Sequence, residues 1–176
     1  MDDVRRAMKG ERPKRMPFFA CSEEFDVRIA GEVYENFCTD SKVMAKVQSH
    51  VVDRFGYDWA WLQVDDCIMF EPLGVGVVGS GNILRATKDY LPAKRSTLDH
   101  LKKPDVRKAG RCPVLLDGIK RMKDKYGESL MVVGRTEGPY SAVAFLRPRF
   151  WPGLRPRPIF LARSRRFSAY SGATIG

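Results

Sequence analysis

The chain is poor in the residues on which metal and nucleophilic chemistry most often depend. Its 176 residues include two histidines and four cysteines. His50 falls on the polar face of a helical stretch and His100 in a lysine-rich loop. Neither has a ligand or triad partner at recognisable spacing, so no Ser/His/Asp or Cys/His nucleophilic machinery can be assembled. The cysteines, Cys21, Cys38, Cys67 and Cys112, lie 17, 29 and 45 positions apart. With no C-x-x-C pair they read as buried free thiols, and no metal site is expected from them. Long apolar runs are missing too. None approaches the ~18 residues that would cross a bilayer, and the opening MDDVRRAMKGERPKR has no apolar core of the signal-peptide kind. The expectation is a cytoplasmic protein with no membrane partner.

Acid is absent from one end. From Arg147 to Gly176 there are seven arginines, no lysine and no Asp or Glu, although the whole chain carries a net charge of +10. Residues 1 to 146 hold 24 basic and 21 acidic residues, an ordinary, nearly neutral globular balance. Any polyanion argument therefore rests on the last thirty residues alone.

The body alternates helical and strand signals. Asp2 to Lys9 reads as a short polar helix ended by Gly10, and Met16 to Cys21 as a buried strand. After a loop, Thr39-Asp40-Ser41 offers N-cap side chains for a helix with Val43, Met44, Val47, Val51, Val52 and Phe55 on its apolar side, closed by Gly56. Trp59 to Val64 reads as a strand and Leu73 to Asn82 as an extended, glycine-punctuated stretch. Ile83 to Val106 is a long excursion with a short helix near Leu98. Pro113 to Tyr126 is a helix with Leu115, Leu116, Ile119, Met122 and Tyr126 on one face, Leu130 to Gly134 a strand, and Gly138-Pro139 opens a last helical segment through Phe145. This is the grammar of an α/β domain with a parallel sheet, but it has only three clear strands where a closed (β/α) barrel has eight.

Two motifs could carry chemistry. Gly74-Val-Gly76-Val-Val-Gly79 spells G-x-G-x-x-G, yet Ser80-Gly81-Asn82 follows where a phosphate-binding helix would have to start, so a glycine-rich strand or hairpin is the better reading. Asp65 and Asp66 directly follow an apolar strand, the place where working sites lie in barrels and open α/β sheets. Strand alternation sends the two to opposite sides, so one faces a site; a turn or helix cap is the bland alternative.

Several pieces, taken in order, resemble the uroporphyrinogen decarboxylase family of tetrapyrrole decarboxylases and corrinoid-linked methyltransferases, over residues 3 to 147. The entry Val4-Arg-Arg-Ala-Met-Lys-Gly-Glu-Arg-Pro-Lys-Arg-Met-Pro17 is similar to the family's opening helix and E-x-P-D-R-x-P turn, with Lys14 where aspartate is usual. Arg54 to Asp58 and Val64-Asp65-Asp66 through Glu71-Pro-Leu-Gly74 resemble the second barrel strand, its catalytic aspartate and the following A-L-G. Leu101-Lys-Lys-Pro-Asp105 is similar to the K-x-P-D linker, and Val133-Gly134 through Gly138-Pro-Tyr-Ser141 to Arg147 to the third strand and the G-P-F-T helix.

The resemblance implies an α/β fold, the N-terminal part of a (β/α)8 barrel, incomplete, over residues 1–147. It implies that Asp65 is the catalytic carboxylate, with Asp66 as competitor. In the decarboxylases this group accepts hydrogen bonds from pyrrole N–H groups and stabilises the cation formed when the ring is protonated. The substrate-gripping arginines of the decarboxylases fall on Ser22 and Asp26, with Glu23 and Glu24 beside them, and a substrate-contacting tyrosine falls on Phe145. An acidic loop there would repel a polycarboxylate, which tilts the expectation towards the methyltransferase-like branch. The partner is then a small-molecule substrate, a tetrapyrrole or a methylated corrinoid protein. The decarboxylase chemistry needs no cofactor; the methyltransferase chemistry implies zinc and a corrinoid, with ligands outside this chain. A fragment of this kind is expected to be inactive alone. Residues 148–176 resemble no part of the family and read as a frameshifted, disordered tail. The alternative is a small basic nucleic-acid-binding module using that tail.

Overall fold

A computed structural model describes residues 1–147 except Gln63 and Ala93, so both readings of the 148–176 tail lie outside the described residues. Helix α1 (Asp2–Met8), α2 (Glu23–Ile29) and α3 (Tyr34–Thr39) precede the long helix α4 (Ser41–Phe55). Then come β1 (Trp59–Leu62), a 3-10 turn at Glu71–Leu73, β2 (Gly76–Val78), β3 (Ala86–Asp89), α5 (Arg95–His100), α6 (Cys112–Tyr126), β4 (Met131–Gly134) and α7 (Pro139–Leu146).

Local chemistry sets the ends of α4. The Asp40 carboxylate accepts from the backbone N–H groups of Lys42 and Val43, and Gly56 stops the helix at φ 66°, a left-handed conformation that costs a glycine little. Strands β1 and β4 pair in parallel, from Trp59 opposite Met131 to Leu62 opposite Gly134, with α6 in the connection between them. Alternation along β1 buries Ala60 and Leu62 in a core with Met44, Val47, Val51 and Met122. Each fully buried Leu, Val or Met there contributes roughly 1.5–3 kcal/mol. Gly118 lets α6 approach α4 closely, because a Cβ at that position would run into the Met44 side chain. Trp59 and Trp61 take the opposite face of β1, with ring centroids 4.8 Å apart.

Four expectations change. Met16 to Cys21 is extended but forms no strand, and Met16, Phe18 and Phe19 are 76%, 51% and 41% exposed. The segment pairs with no strand and meets the start of β1 through side chains, the Trp59 indole N–H donating to the Ala20 carbonyl (2.7 Å) and Phe19 packing on Trp59. The Asp58 carboxylate accepts from the Phe18 N–H (2.6 Å) and from Arg15 (2.5 Å), and the Asp58 N–H donates to the Phe18 carbonyl (3.0 Å). The loop expected between residues 22 and 39 holds α2 and α3, helices of seven and six residues, too short for a clear periodic signal. The excursion after Ile83 contains β3, which pairs antiparallel with β2. The glycine-rich motif thus builds a hairpin. Gly79 takes φ 114°, and a Cβ on it would lie 2.5 Å from the Leu84 carbonyl oxygen. Finally, Leu116 is 44% exposed and leaves the apolar face of α6, where Gly118 packs instead.

Candidate functional site

The carboxyl end of β1 delivers Asp65 into a buried network. Its side chain is 3% exposed and is gripped by Arg111, with Nη1 2.6 Å from Oδ2 and Nη2 3.1 Å from Oδ1. The Cys67 backbone N–H donates to Oδ1 at 2.9 Å. Arg111 precedes α6, whose Pro113 suits a first helical turn. The same guanidinium binds Glu71, with Nε to Oε2 at 3.0 Å and Nη2 to Oε1 at 2.5 Å, and donates to the Cys38 carbonyl at 3.3 Å. Burial works against the Arg111 charge, but the hydrogen bonds and charges of Asp65 and Glu71 outweigh it and raise its pKa further. Arg85 stands 4.0 Å from Asp65 and 3.8 Å from Glu35. Beneath this layer the Tyr34 hydroxyl (2.5 Å) and the Cys38 thiol (3.3 Å) both donate to the Val64 carbonyl. Burial, then the Asp65 charge, pushes the Cys38 thiol up to about 12, and burial likewise raises the Tyr34 hydroxyl.

Asp66, in the turn that follows β1, is the more exposed of the two aspartates. Its side chain is 46% exposed and pairs with Arg135 beyond β4 at 3.2 Å; Arg135 also pairs with Glu137. Asp65, Asp66, Arg135 and Glu137 border a small pocket of about 10 Å³, room for roughly one water. Glu23, at the start of α2, reaches the same end of the sheet, with the Trp61 indole N–H 3.5 Å from Oε1. Burial raises its carboxyl to about 7, helped by the charges of Glu24 and Asp66 and opposed by the Trp61 hydrogen bond and Arg135.

The other expected site residues are placed differently. Asp26 is 3% exposed, accepts from the Ser22 hydroxyl (2.7 Å) and from Gln48 Nε2 (3.2 Å), and so is a bridge in the core. The Gln48 oxygen in turn accepts from the Trp61 backbone N–H at 3.2 Å, tying α2, α4 and β1 together. Ser22 is therefore spent on Asp26. With Asp26 turned inward and Glu23 raised, the entry side is less acidic than the residue types suggest. Phe145 stacks on Phe70, centroids 5.1 Å apart, at the α7 side of the same end. His50 is exposed, and His100 ends α5 instead of lying in a loop. Cys21 is exposed, while Cys38, Cys67 and Cys112 are buried, and all four are free.

Arg111, Glu71, Arg85 and Arg135 were missed by sequence reasoning. The Asp65–Arg111 pairing spans 46 positions and has no local periodicity; the one available hint was an arginine directly ahead of the helix-starting Cys112-Pro113. Among the described residues, no three His, Cys, Asp or Glu side chains gather to hold a metal ion. With three cysteines buried as protonated thiols, these residues do not by themselves fit zinc. No described helix is long and apolar enough to cross a membrane.

The family model for uroporphyrinogen decarboxylase (URO-D) matches residues 1–148. Among solved structures, a methyltransferase from Methanosarcina mazei is similar, at TM-score 0.70 and 23% identity over 83% of this chain and 44% of that one. The chain thus spans less than half of that protein, and its fold is part of a (β/α) barrel, incomplete. No curated protein matches the chain.

Proposed function

The chain belongs to the uroporphyrinogen decarboxylase family, and from that premise we propose that it supplies the first part of a methyltransferase-type active site, with Asp65 and Arg111 as its fixed floor. The observation that carries this reading is the occupancy of Asp65. A carboxylate offers about four lone-pair positions. Arg111 takes two and the Cys67 N–H a third, with Arg85 beside them. A decarboxylase-type role requires an open carboxylate to receive pyrrole N–H groups and stabilise a cation. This one is already neutralised.

Methyl transfer asks for the opposite field. A methyl group moves from a methylated corrinoid substrate to an anionic nucleophile; the bond to the nucleophile forms with the nucleophile's electron pair as the old methyl bond breaks, and its electrons stay with the corrinoid. A bare aspartate at the strand end would repel that nucleophile. Asp65 tied to Arg111, with Arg85 4.0 Å away, repels it less, because its charge is matched by the guanidiniums against it. Ser22 and Asp26, turned to each other where the decarboxylases carry arginines, offer no grip for a polycarboxylate. Zinc and corrinoid ligands, on this reading, come from sequence outside this chain.

The test is a chimera joining residues 1–147 to the complementary part of the Methanosarcina methyltransferase. The expected outcome is that protein's methyl transfer and no release of CO₂ from uroporphyrinogen. Decarboxylation without methyl transfer would overturn the reading.

A further inference from the structure

Methyl transfer to a nucleophile that arrives protonated needs a group to take the proton. Most acids at the carboxyl end of β1 are already committed. Asp65 and Glu71 are held by Arg111, Asp66 and Glu137 by Arg135, and Glu35 faces Arg85 at 3.8 Å. To take a proton, each would have to give up an ion pair. Tyr34 and Cys38 both donate to the Val64 carbonyl, and burial holds the Cys38, Cys67 and Cys112 thiols in their protonated form. The histidines lie elsewhere, His50 exposed on α4 and His100 bonded to the Ser96 carbonyl in α5.

Glu23 differs. It is half-buried in the first turn of α2, forms no salt bridge among the described residues, and meets the Trp61 indole N–H at 3.5 Å. Trp61 stands on the face of β1 turned away from the core, its ring 4.8 Å from that of Trp59, whose own indole N–H is tied to the Ala20 carbonyl at 2.7 Å. The surface beneath Glu23 is therefore fixed. The charged groups that face it are Glu24 on its own helix, Asp66 in the turn after β1 and Arg135 beyond β4. Burial, the largest influence, lifts its carboxyl to about 7; Glu24 and Asp66 add to this, and the Trp61 hydrogen bond and Arg135 oppose it. A thiol, at ~8.5, is a nucleophile whose acidity such a group can match. We propose that Glu23 is the proton acceptor of the site, serving a nucleophile that arrives protonated. This inference rests on the methyl-transfer reading. The thiol S–H bond breaks as its proton passes to the Glu23 carboxylate. The electron pair left on sulfur forms the new bond to the methyl carbon while the old methyl bond breaks, its pair staying with the corrinoid, and Glu23 then releases the proton to water. Neutralised by that proton, Glu23 presents no bare carboxylate to the thiolate.

Two measurements test it. In the full 176-residue chain, NMR of isotope-labelled glutamate carboxyls, with Glu23→Gln identifying the signal, should show Glu23 titrating at about 7. Titration at the ordinary ~4.3 of glutamate would overturn the proposal. In the chimera, with methylcobalamin as donor, Glu23→Gln should lower kcat/KM for 2-mercaptoethanol at neutral pH by about 10²-fold. For 4-nitrobenzenethiol, already ionised at that pH, the same substitution should change it by no more than about twofold. The 2-mercaptoethanol profile should level off above about 7 in the unsubstituted chimera and keep rising in the variant until the thiol itself ionises. Retained transfer to the arylthiol shows that the variant is folded, so loss of both activities alike, or of neither, overturns the proposal. An unsubstituted chimera that methylates neither thiol overturns the methyl-transfer reading and this inference with it; one that works equally well with Glu23→Gln overturns this inference alone.

Discussion

Replacing Arg111 with methionine removes the group that neutralises two carboxylates at once. Methionine keeps much of the side chain's volume, so the perturbation is chiefly electrostatic. Asp65, 3% exposed, would keep the Cys67 N–H and lose both guanidinium contacts. Glu71, 20% exposed, would turn partly to solvent and cost less. Removing one partner of a buried pair costs about 3–5 kcal/mol, because the remaining charge is left buried. Arg85 starts only 4.0 Å from Asp65 and can close in to recover part of this, so the lower end, about 3 kcal/mol, is expected. Urea unfolding followed by the fluorescence of Trp59 and Trp61 reads the effect as a midpoint lowered by about 1–2 M. Adding Asp65→Asn to Arg111→Met should recover at least ~1.5 kcal/mol, since the double variant buries no uncompensated aspartate. A loss under ~1 kcal/mol for Arg111→Met, or no recovery in the double variant, would refute the reasoning.

Two further outcomes follow from the same physics. Glu23, raised from 4.5 to about 7, binds a proton in the folded state over that interval where the unfolded chain does not, so its contribution to stability falls as pH rises from about 4.5 through 7. Glu23→Gln should therefore stabilise the fold at pH 8 by on the order of 1 kcal/mol after allowing for solvent screening, read as a raised melting temperature, and leave it nearly unchanged at pH 4; the same shift at both pH values would contradict the assignment. Asp58 is held below its ordinary 3.8, because the Phe18 N–H and Arg15 outweigh burial, so its stabilisation is present above that value and lost as pH falls below it. Asp58→Ala should cost about 1–3 kcal/mol and free the Phe18 amide to exchange with solvent, measured by hydrogen exchange at neutral pH.

What the sequence disclosed follows from how local each signal is. Helix α4 was legible end to end, since Asp40 and Gly56 are chemically distinctive at the two termini and the valines between them fall at helical spacing. Strands β1 and β4, and the position of Asp65 at the carboxyl end of β1, were legible for the same reason. Asp65 and Asp66 do differ in surroundings, one buried on Arg111 and the other half-exposed on Arg135, but in a turn beyond β1 where strand alternation does not reach. The partners of those aspartates were not, because Arg111 and Arg135 lie 46 and 69 positions away and only the fold brings them near. Asp26 shows the same limit in reverse: the resemblance puts it where the decarboxylases carry a substrate-gripping arginine, but Gln48 on another helix holds it in the core. Met16 to Cys21 reads as a buried strand because composition reports apolarity and cannot report whether a pairing edge is present.

The proposed methyl transfer turns on Asp65 as the group that holds Arg111 in the floor of the site, and the most direct measurement is the steady-state kinetics of methyl transfer by the chimera carrying Asp65→Asn or Asp66→Asn. Asp65→Asn should lower kcat by about 10²-fold or more, with KM held within a few fold, because it disturbs the floor formed with Arg111 and leaves the outward face intact. Asp66→Asn, which loosens Arg135 at the more open rim, should act mainly on KM. Full turnover by the Asp65→Asn chimera, or a kcat loss confined to Asp66→Asn, would contradict the claim.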